Sequence, residues 1–362
     1  MLGLLYRLYN SWITKTRCGV AWRHIRDNSE MKKAMTSGNV VSESAACTFR
    51  DMTPARSAAF IAGCFDYVKR FTGMMGFDLR DKRCLEVGCG ENVALALRLI
   101  SEGAAHVTCV DRFFAERDRT HEAAIYMEMR RHLDKERRSR FDEAISLGPD
   151  GHNICPERVT CHYGVDIAKS QEIFSPGSFD LIYSNAVLEH VRDPEKALIA
   201  MDKLLALGGI IVHSIDCKDH GMLSSLGFHP LTFLTIPDSI YHLMSSHSAL
   251  PNRRFARFYR DQMARLGYEW KIYVTQVIDG GKASGRTSFR VSEQLANCRV
   301  DENTGVVTLC EYKEDLEKDV DYGDFHLDLV RSIRPRLAYQ FKALRDDELL
   351  EAAFILVARK KG

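Results

Sequence analysis

The chain has 362 residues, which is long for one domain, so we expect a core domain with additions. Its composition, 45% hydrophobic and 27% charged, is that of an ordinary globular protein, and its net charge of +1 gives no field that would favour nucleic acid as a partner. The eleven cysteines are scattered without a CxxC pair, which favours reduced thiols and a cytoplasmic location over a disulfide framework.

Residues 1–80 are predicted to form an N-terminal helical extension. Residues 1–26 contain five basic residues, no acid, and Leu, Tyr and Trp side chains at roughly helical spacing. Such a segment suits weak binding to the inner face of the membrane, and it would equally suit packing on the core domain or on a second subunit of an oligomer. Residues 27–50 have little pattern and are predicted to be a linker. Thr53 and Pro54 then provide an N-cap and a first helical residue.

Residues 81–216 alternate between strand and helix, with a charge-rich helical stretch over 114–146. Such alternation predicts a mostly parallel sheet covered by helices on both faces. The predicted helices begin at Val93 and at Asp193-Pro194, and the second is expected to stop at Gly208-Gly209. The predicted strands are Leu85–Val87, His106–Val110, Val159–Tyr163, Phe179–Ser184 and Ile210–Ile215.

The alternation of strands and helices ends after residue 216. Residues 217–265 hold loops and short helices rich in His, Ser and aromatic residues, and they are predicted to be an inserted lid that binds the acceptor. Residues 266–362 are predicted to complete the sheet, with strands at Trp270–Val277 and Phe354–Ala358. Between those strands we expect a flexible loop at 280–286 and a hairpin within 288–312, turning at residues 302–305.

The stretch CLEVGCGENVALALRLISEGAAHVTCVD, residues 84–111, reads as a strand, a glycine turn, a helix and a second strand that ends in an acid. Gly88 and Gly90 fit a dinucleotide fingerprint but its third glycine is replaced by Val93, and a phosphate-binding Walker loop is absent. Asp111 can accept hydrogen bonds from both hydroxyls of a ribose, and a helix N-terminus attracts a carboxylate. A ligand with a ribose and a carboxylate but no phosphates fits best, and S-adenosylmethionine is such a ligand.

Further segments extend this pattern. Asp166-Ile167 and FDLIYSNAVLEHV, residues 179–191, follow the glycine turn, and together these segments resemble class I S-adenosylmethionine-dependent methyltransferases over about residues 80–216. The resemblance implies a Rossmann-like, mostly parallel sheet of seven strands. HSIDCKDH (213–220), PNRR (251–254), IRPRLA (333–338) and FILVARK (354–360) resemble bacterial methyltransferases found with polysaccharide biosynthesis enzymes. One departure is Asn92, where many members carry glycine.

The resemblance also implies roles in cofactor binding. Glu86 would orient the methionine amino group, and Asn185 would face the methionine portion. Gly88, Cys89 and Gly90 would pass along the methionine and ribose, and Asp111 would bind the ribose hydroxyls. Arg112 or Phe113 would cover the adenine, Asp166 would accept its amino group, and Ile167 would pack on its ring. The alternative is that the glycines serve only the turn, that Asp111 is a helix cap or surface acid, and that Asp166, two residues away from the usual spacing, has no such role.

An acceptor alcohol is a poor nucleophile, so a base is expected near the cofactor methyl group. His220 lies in the loop after the fifth strand and is our candidate, with Asp219 or Asp216 to orient it. The alternative is that His220 only holds the loop by a hydrogen bond. The predicted acceptor-binding residues are His190, Asn252, Arg253 and Arg254. The alternative for His190 is that it caps or packs at the start of a helix. The alternative for the other three is that they belong to a charged helix surface.

Five histidines within 35 residues make a metal site conceivable, but none has the spacing of a helical metal motif, so we expect no metal. They are His213, His220, His229, His242 and His247. The sequence thus predicts an enzyme that O-methylates a sugar hydroxyl of a cell-surface glycan or its precursor. Methylation of a small natural product or an amine is one alternative. A non-catalytic module that binds adenosyl ligands and regulates a partner is another.

Overall fold

The structure of the protein is a computed structural model. It describes residue 11 and residues 15–37, 52–114, 117–148, 151–278, 288–292, 307–308, 310–311 and 323–362. The predicted loop at 280–286, the turn at 302–305 and residues 1–10 lie outside these ranges. None of the helices in the described ranges is long and apolar enough to span a membrane.

Helices and strands alternate along most of the described chain. The helices are α1 (Arg17–Thr36), α2 (Pro54–Met74), α3 (Ala94–Ser101), α4 (Arg119–Arg131), α5 (Lys135–Ala144), α6 (Pro194–Leu204), α7 (Asp238–Ser245), α8 (Ala256–Arg265), α9 (Gly323–Ile333) and α10 (Asp346–Leu350). The strands are β1 (Arg83–Val87), β2 (His106–Asp111), β3 (Ile145–Gly148), β4 (Gly151–Ile154), β5 (Val159–Tyr163), β6 (Phe179–Asn185), β7 (Leu205–Asp216), β8 (Glu269–Ile278), β9 (Ser288–Ser292), β10 (Val307–Thr308), β11 (Cys310–Glu311) and β12 (Glu351–Arg359).

Within the described ranges, ten strands form one sheet, and its seven central strands lie in the order β8-β12-β7-β6-β1-β2-β5. Beyond β8, the sheet continues with β9 and β10 and with β11, which also pairs with β8. Strands β5, β2, β1, β6 and β7 pair in parallel, whereas β12 runs antiparallel to both of its neighbours, β7 and β8. This confirms the predicted Rossmann-like sheet. The chain first builds the sheet outward from β1 through β2 to β5 and then returns to the other side of β1 with β6. Crevices at such reversals, at the carboxyl ends of the strands, are where open α/β sheets bind ligands.

Alternating side chains of the strands enter two apolar cores, one on each face. On β1, Leu85 and Val87 point to the face covered by α6 and by the 217–265 segment, which includes α8. Cys84 points to the opposite face, where α2, α3, α4 and α5 pack. Both faces are therefore covered by helices, as the near-continuous apolar runs of the strands predict.

The predicted linker at residues 27–50 is wrong for its first part, because α1 continues through Thr36. Thr16 caps this helix, with its hydroxyl accepting from Gly19 N at 3.0 Å. Asn28 is buried where α1 meets α7 and makes four hydrogen bonds across that contact. Its amide donates to Leu243 O (2.9 Å) and Ser246 Oγ (3.0 Å), and its Oδ1 accepts from the backbone N–H groups of His247 (2.6 Å) and Ser248 (2.9 Å).

Three other local predictions differ from the structure. Helix α6 ends at Leu204, before the predicted glycine stop, and Gly208-Gly209 lies within β7 instead. Strands β3 and β4, residues 145–148 and 151–154, form an unpredicted antiparallel pair after the charge-rich helices. Strand β10 pairs with β9 in parallel, so these two strands are not the arms of the predicted antiparallel hairpin.

Candidate active site

A cavity of about 460 Å³ opens at the carboxyl ends of β1, β2 and β6. Its volume lies within the roughly 300–1,000 Å³ that is usual for small-molecule sites. The ten residues predicted from the sequence to bind the cofactor all line it. They are Glu86, Gly88, Cys89, Gly90, Asp111, Arg112, Phe113, Asp166, Ile167 and Asn185.

The glycine turn between β1 and α3 has no room for a side chain. Gly88 has a φ of +77°, and a Cβ atom built on it would lie 2.4 Å from Cγ2 of Val187. The backbone N–H of Gly88 donates to Val110 O at 2.7 Å, which ties the turn to β2. Glycine is therefore required at this position both by backbone conformation and by the approach of Val187.

Asp111 is held by the turn that it faces. Its Oδ2 accepts from the backbone N–H of Gly90 and its Oδ1 from that of Phe113, both at 2.8 Å. Burial raises the pKa of Asp111, and these two hydrogen bonds oppose that shift. Each carboxylate oxygen keeps a further lone pair, so the group can still accept two hydrogen bonds from a vicinal diol.

Glu86 lies beneath the same turn and is 6% exposed. Its Oε2 accepts from the hydroxyl of Tyr183 at 2.9 Å and from the thiol of Cys109 at 3.6 Å. Burial raises the pKa of Glu86 to about 7. Among the described residues no basic group forms an ion pair with it, so an ammonium group of a ligand would supply the missing positive charge. Glu86 and Asp111 together thus fit a ligand with an amino group and a ribose.

Four residues predicted for the adenine lie together on another wall. Asp166 caps the 3₁₀ helix Ile167–Glu172, with its Oδ1 accepting from Ala168 N at 3.0 Å, which leaves its second oxygen for a ligand. The side chain of Ile167 is buried beside it. The Arg112 guanidinium lies 5.6 Å from the centre of the Phe113 ring. Asp166 therefore has the capping role as well as a place in the cavity wall.

Sequence reasoning missed that α2 also closes this cavity, beside the 217–265 segment that it predicted to be a lid. Phe60, Ile61 and Cys64 of α2 and Ala249 line it, and Nδ2 of Asn185 lies 3.4 Å from Sγ of Cys64. The signal was present in the apolar face of α2, but periodicity does not reveal which neighbour such a face meets.

Asn92, the departure from the family pattern, has a definite role in the turn. Its Oδ1 accepts from Ala94 N at 3.0 Å. The donor is one of the first N–H groups of α3, which have no partner within the helix. The side chain therefore stabilises the helix start that follows the turn.

His190 and His220, which were predicted to bind and activate the acceptor, lie together on one wall of the cavity, with ring centres 4.7 Å apart at 81°. We call this wall the acceptor wall. Nε2 of His220 lies 3.8 Å from Oδ1 of Asp216. His220 has a φ of +51°, a left-handed conformation that is uncommon outside glycine. Burial, and secondarily the neighbouring His220, lower the pKa of His190 to about 4.

Asp219 has a structural role rather than the expected contact with His220. Its carboxylate is 2% exposed and accepts hydrogen bonds from the backbone N–H groups of Gly221, Leu223 and Ser224 and from the hydroxyl of Ser224, at 2.5–3.0 Å. These bonds shape the loop that carries His220. Of the two predicted partners, Asp216 is therefore the one near the imidazole.

The cavity wall does not include Asn252, Arg253 and Arg254, whose side chains contact other parts of the chain instead. Asn252 Nδ2 donates to Leu188 O (2.7 Å) and Val191 O (2.9 Å). Arg253 is 6% exposed, donates to the carbonyls of Phe233 and Ile236, pairs with Asp238, and lies 3.7 Å from the Tyr241 ring centre. Arg254 stacks on Phe258 at 5.0 Å.

The histidines considered for a metal site are not gathered in one place. His213 is fully buried on β7, where its Nδ1 lies 2.8 Å from the hydroxyl of Ser184. His229 contacts the carbonyl of Leu329 at 3.0 Å. The structure instead places ligand atoms of Glu189, His190 and His220 within 4.8 Å of one another.

Similarity to known proteins agrees with this geometry. The model of a family described as a methyltransferase domain matches residues 58–269. No curated protein matches the sequence.

Solved structures with a similar fold share little sequence with the chain. One is phosphoethanolamine N-methyltransferase 2 of Haemonchus contortus in complex with S-adenosyl-L-methionine, at 15% identity and a TM-score of 0.40. The match covers 85% of this chain and 57% of that one, so this chain spans less than two thirds of its length. Another is an S-adenosylmethionine-dependent methyltransferase of Mesorhizobium loti, at 15% identity and a TM-score of 0.36, with 83% and 99% of the two chains covered.

Proposed function

Because this chain belongs to the methyltransferase-domain family, we propose that it transfers a methyl group from S-adenosylmethionine to a sugar hydroxyl of a glycan or a glycan precursor. When bound, S-adenosylmethionine supplies the methyl group on its sulfonium, and the protein has to align the acceptor and activate it. The cofactor end of the cavity and the acceptor wall support this proposal separately.

Two carboxylates support the assignment of the cofactor. Asp111 is fixed by Gly90 and Phe113 and presents oxygens to a diol. Glu86 is buried without a basic partner among the described residues and would bind the amino group. The turn at Gly88 and Gly90 lets the cofactor pass close to the backbone.

The single observation that carries the choice of a hydroxyl acceptor is the strained position of His220. A left-handed histidine costs free energy, and such strain is found where the surroundings hold a residue for function. Its imidazole reaches the cavity beside His190 and near Asp216. A neutral amine is already a good nucleophile, whereas a hydroxyl oxygen is a poor one and benefits from a base. We therefore assign to His220 the activation of the acceptor oxygen.

The choice of a sugar rests on resemblance. The segment 213–220, which resembles bacterial methyltransferases found with polysaccharide biosynthesis enzymes, brings His220 to the cavity and Asp216 close to His220. The segment 251–254 positions the 188–191 turn through Asn252. The first segment thus supplies His220 to the cavity, and the second supports the turn that carries His190.

The proposal is tested by methyl transfer from radiolabelled S-adenosylmethionine to nucleotide sugars and oligosaccharides. His220→Ala is expected to lower turnover by roughly 10²–10⁴, while the Kd for the cofactor stays the same. His242→Ala removes an exposed histidine from α7 and is the matched control, with turnover unchanged.

Two results would contradict the proposal. Transfer to amines with normal turnover in His220→Ala would make the enzyme an N-methyltransferase with a structural His220. Cofactor binding without transfer to any oxygen, nitrogen or carbon acceptor would favour a non-catalytic adenosyl-binding module.

A further inference from the structure

Three side chains at the acceptor wall form a cluster that methyl transfer alone does not explain. Glu189 and His190 belong to the 3₁₀ turn Leu188–His190, and His220 approaches from the loop after β7. One ligand atom from each lies within 4.8 Å of the others. The two imidazoles line the cavity, and Glu189 lies behind them with 1% of its surface exposed.

Two atoms of this cluster are buried without a hydrogen-bond partner among the residues that the structure describes. They are Oε2 of Glu189 and Nδ1 of His190. The other carboxylate oxygen of Glu189 accepts from Asp216 N at 3.1 Å, so only one side of the group is satisfied. A buried polar atom without a partner is costly, and a buried carboxylate is more so unless a cation compensates it. Both unsatisfied atoms are good metal ligands.

We propose that Glu189, His190 and His220 bind one divalent first-row transition-metal ion, which coordinates the acceptor oxygen. This inference deepens the proposed function and rests on it. Two imidazoles and one carboxylate are a donor set typical of catalytic zinc and related ions, with remaining positions open to substrate. Ligand distances of about 2.0–2.2 Å place donor atoms roughly 3–4 Å apart, so the cluster must contract by on the order of an ångström.

Asp216 would position His220 in such a site without being a ligand. Its carboxylate lies 3.8 Å from Nε2 of His220 and is already paired with Nζ of Lys218 at 3.0 Å. Carboxylates commonly orient metal-binding imidazoles from this second position. The strained backbone of His220 then has a reason, because it turns the ring toward Glu189 and His190.

The ion would also define the acceptor and the route of the proton. Coordination of a hydroxyl to the ion lowers the pKa of that hydroxyl, so its proton is released to water in the open cavity. The resulting oxygen attacks the methyl carbon, the carbon–sulfur bond breaks, and its electron pair stays on sulfur. An acceptor with two adjacent oxygens, such as a vicinal diol of a sugar, would occupy two open positions. In this account His220 is a metal ligand and not a general base, whereas the sequence led us to expect a base at His220 and no metal.

The test is metal binding by the full chain, measured without turnover. Protein freed of metal is titrated with Co²⁺ by visible absorption and with Zn²⁺ by calorimetry. Wild type is expected to bind one equivalent of each ion at this site. Glu189→Gln is expected to lose that equivalent or to bind it with a Kd more than about tenfold higher. His220→Asn should show the same loss of metal binding. The side chain of His220 is 31% exposed, so its replacement carries less risk of unfolding the protein than that of the buried Glu189. His242→Asn is the matched control and should bind as wild type.

The outcomes separate this inference from the function on which it rests. Metal bound equally by all four proteins would be held by cysteines or surface groups and would overturn the site. Methyl transfer to hydroxyls that persists after complete chelation would also overturn it and would leave the methyltransferase function standing. Cofactor binding is measured on the same protein before and after the ion is added. If the protein binds the Glu189-dependent ion but does not bind the cofactor in either state, the failure lies in the proposed function.

Discussion

At the scale of single residues, the buried carboxyl group of Glu86 links stability to pH. Burial raises its pKa in the folded protein from the ordinary 4.5 to about 7. A raised folded pKa contributes stability that is fully present below pH 4.5 and is lost as the pH rises through about 7. The contribution is up to about 3 kcal/mol at 1.36 kcal/mol for each unit of pKa. Glu86→Gln should therefore flatten the fall in the free energy of unfolding between pH 5 and 8, measured by denaturant titration.

Glu102→Gln is the control for that measurement, because it removes a carboxylate that is paired with Arg98 and Arg137 at the end of α3. An equal pH dependence in wild type and Glu86→Gln would show that Glu86 is charged in the folded protein at these pH values. Addition of cofactor should also reduce the pH dependence of wild type, because an ammonium beside Glu86 favours its carboxylate.

The contact between Gly88 and Val187 gives a second prediction. Gly88→Ala is expected to weaken cofactor binding and lower the Tm, because its methyl group overlaps Val187 and its φ is positive. Val187→Ala removes the overlapping methyl groups but not the backbone strain, so the double variant should recover part of the loss. Melting curves and cofactor titrations of the two single variants and the double variant measure this coupling. Additive losses would show that the overlap is relieved by backbone movement.

The residues predicted to bind the cofactor all line the cavity, whereas of those predicted to bind the acceptor only His190 does, and this difference has a physical reason. Glu86, Gly88, Gly90 and Asp111 belong to one continuous strand–turn–helix–strand unit, whose geometry is local. Arg253 and Asn252 contact parts of the chain that are distant in sequence, and a polar residue in a loop does not reveal whether its partner is a substrate or a buried carbonyl.

At the scale of elements, hydrogen bonds of Asn28 connect helix α1 to helix α7 of the 217–265 segment and to the residues that follow it. Asn28→Ala should cost about 2–3 kcal/mol in stability, since it removes bonds to two backbone N–H groups and leaves them unsatisfied. Ser29→Ala, an exposed neighbour on the same helix, is the control. Hydrogen exchange should show faster exchange in 17–36 and 238–248 for Asn28→Ala alone; unchanged exchange would mean that apolar contacts fasten α1.

The second half of helix α1 could not be predicted from the hydrophobic pattern of the sequence. That half, DNSEMKKAMT, is mostly polar because most of that surface faces solvent, so no apolar stripe marks it as helical. The β3–β4 pair is equally hard to predict, since each strand has only four residues and lies outside the main sheet. Strand β12, which is buried on both faces, was predicted to within three residues at each end. The end of β7 was predicted to within one residue, but its first five residues were not predicted as strand.

At the scale of the whole molecule, the alternation of strands and helices was sufficient to predict the architecture. Parallel strands need helical crossovers, and a single central sheet with helices on both faces follows from that requirement. The order of the strands is not local information, however. The insertion of β12 between β7 and β8 depends on pairs that are far apart in the sequence, such as Asp216 with Ala353.

That central position of β12 has a consequence during synthesis on the ribosome. Strand β7 ends at Asp216 and its partner begins at Glu351, so well over a hundred residues must be made before the gap between β7 and β8 is filled. At about 5–20 residues per second the exposed edge of β7 would wait on the order of ten seconds for its neighbour. Unpaired edges recruit other chains. The nascent protein should therefore depend on chaperones, and polysomes stalled before residue 351 should hold an aggregation-prone, incomplete sheet.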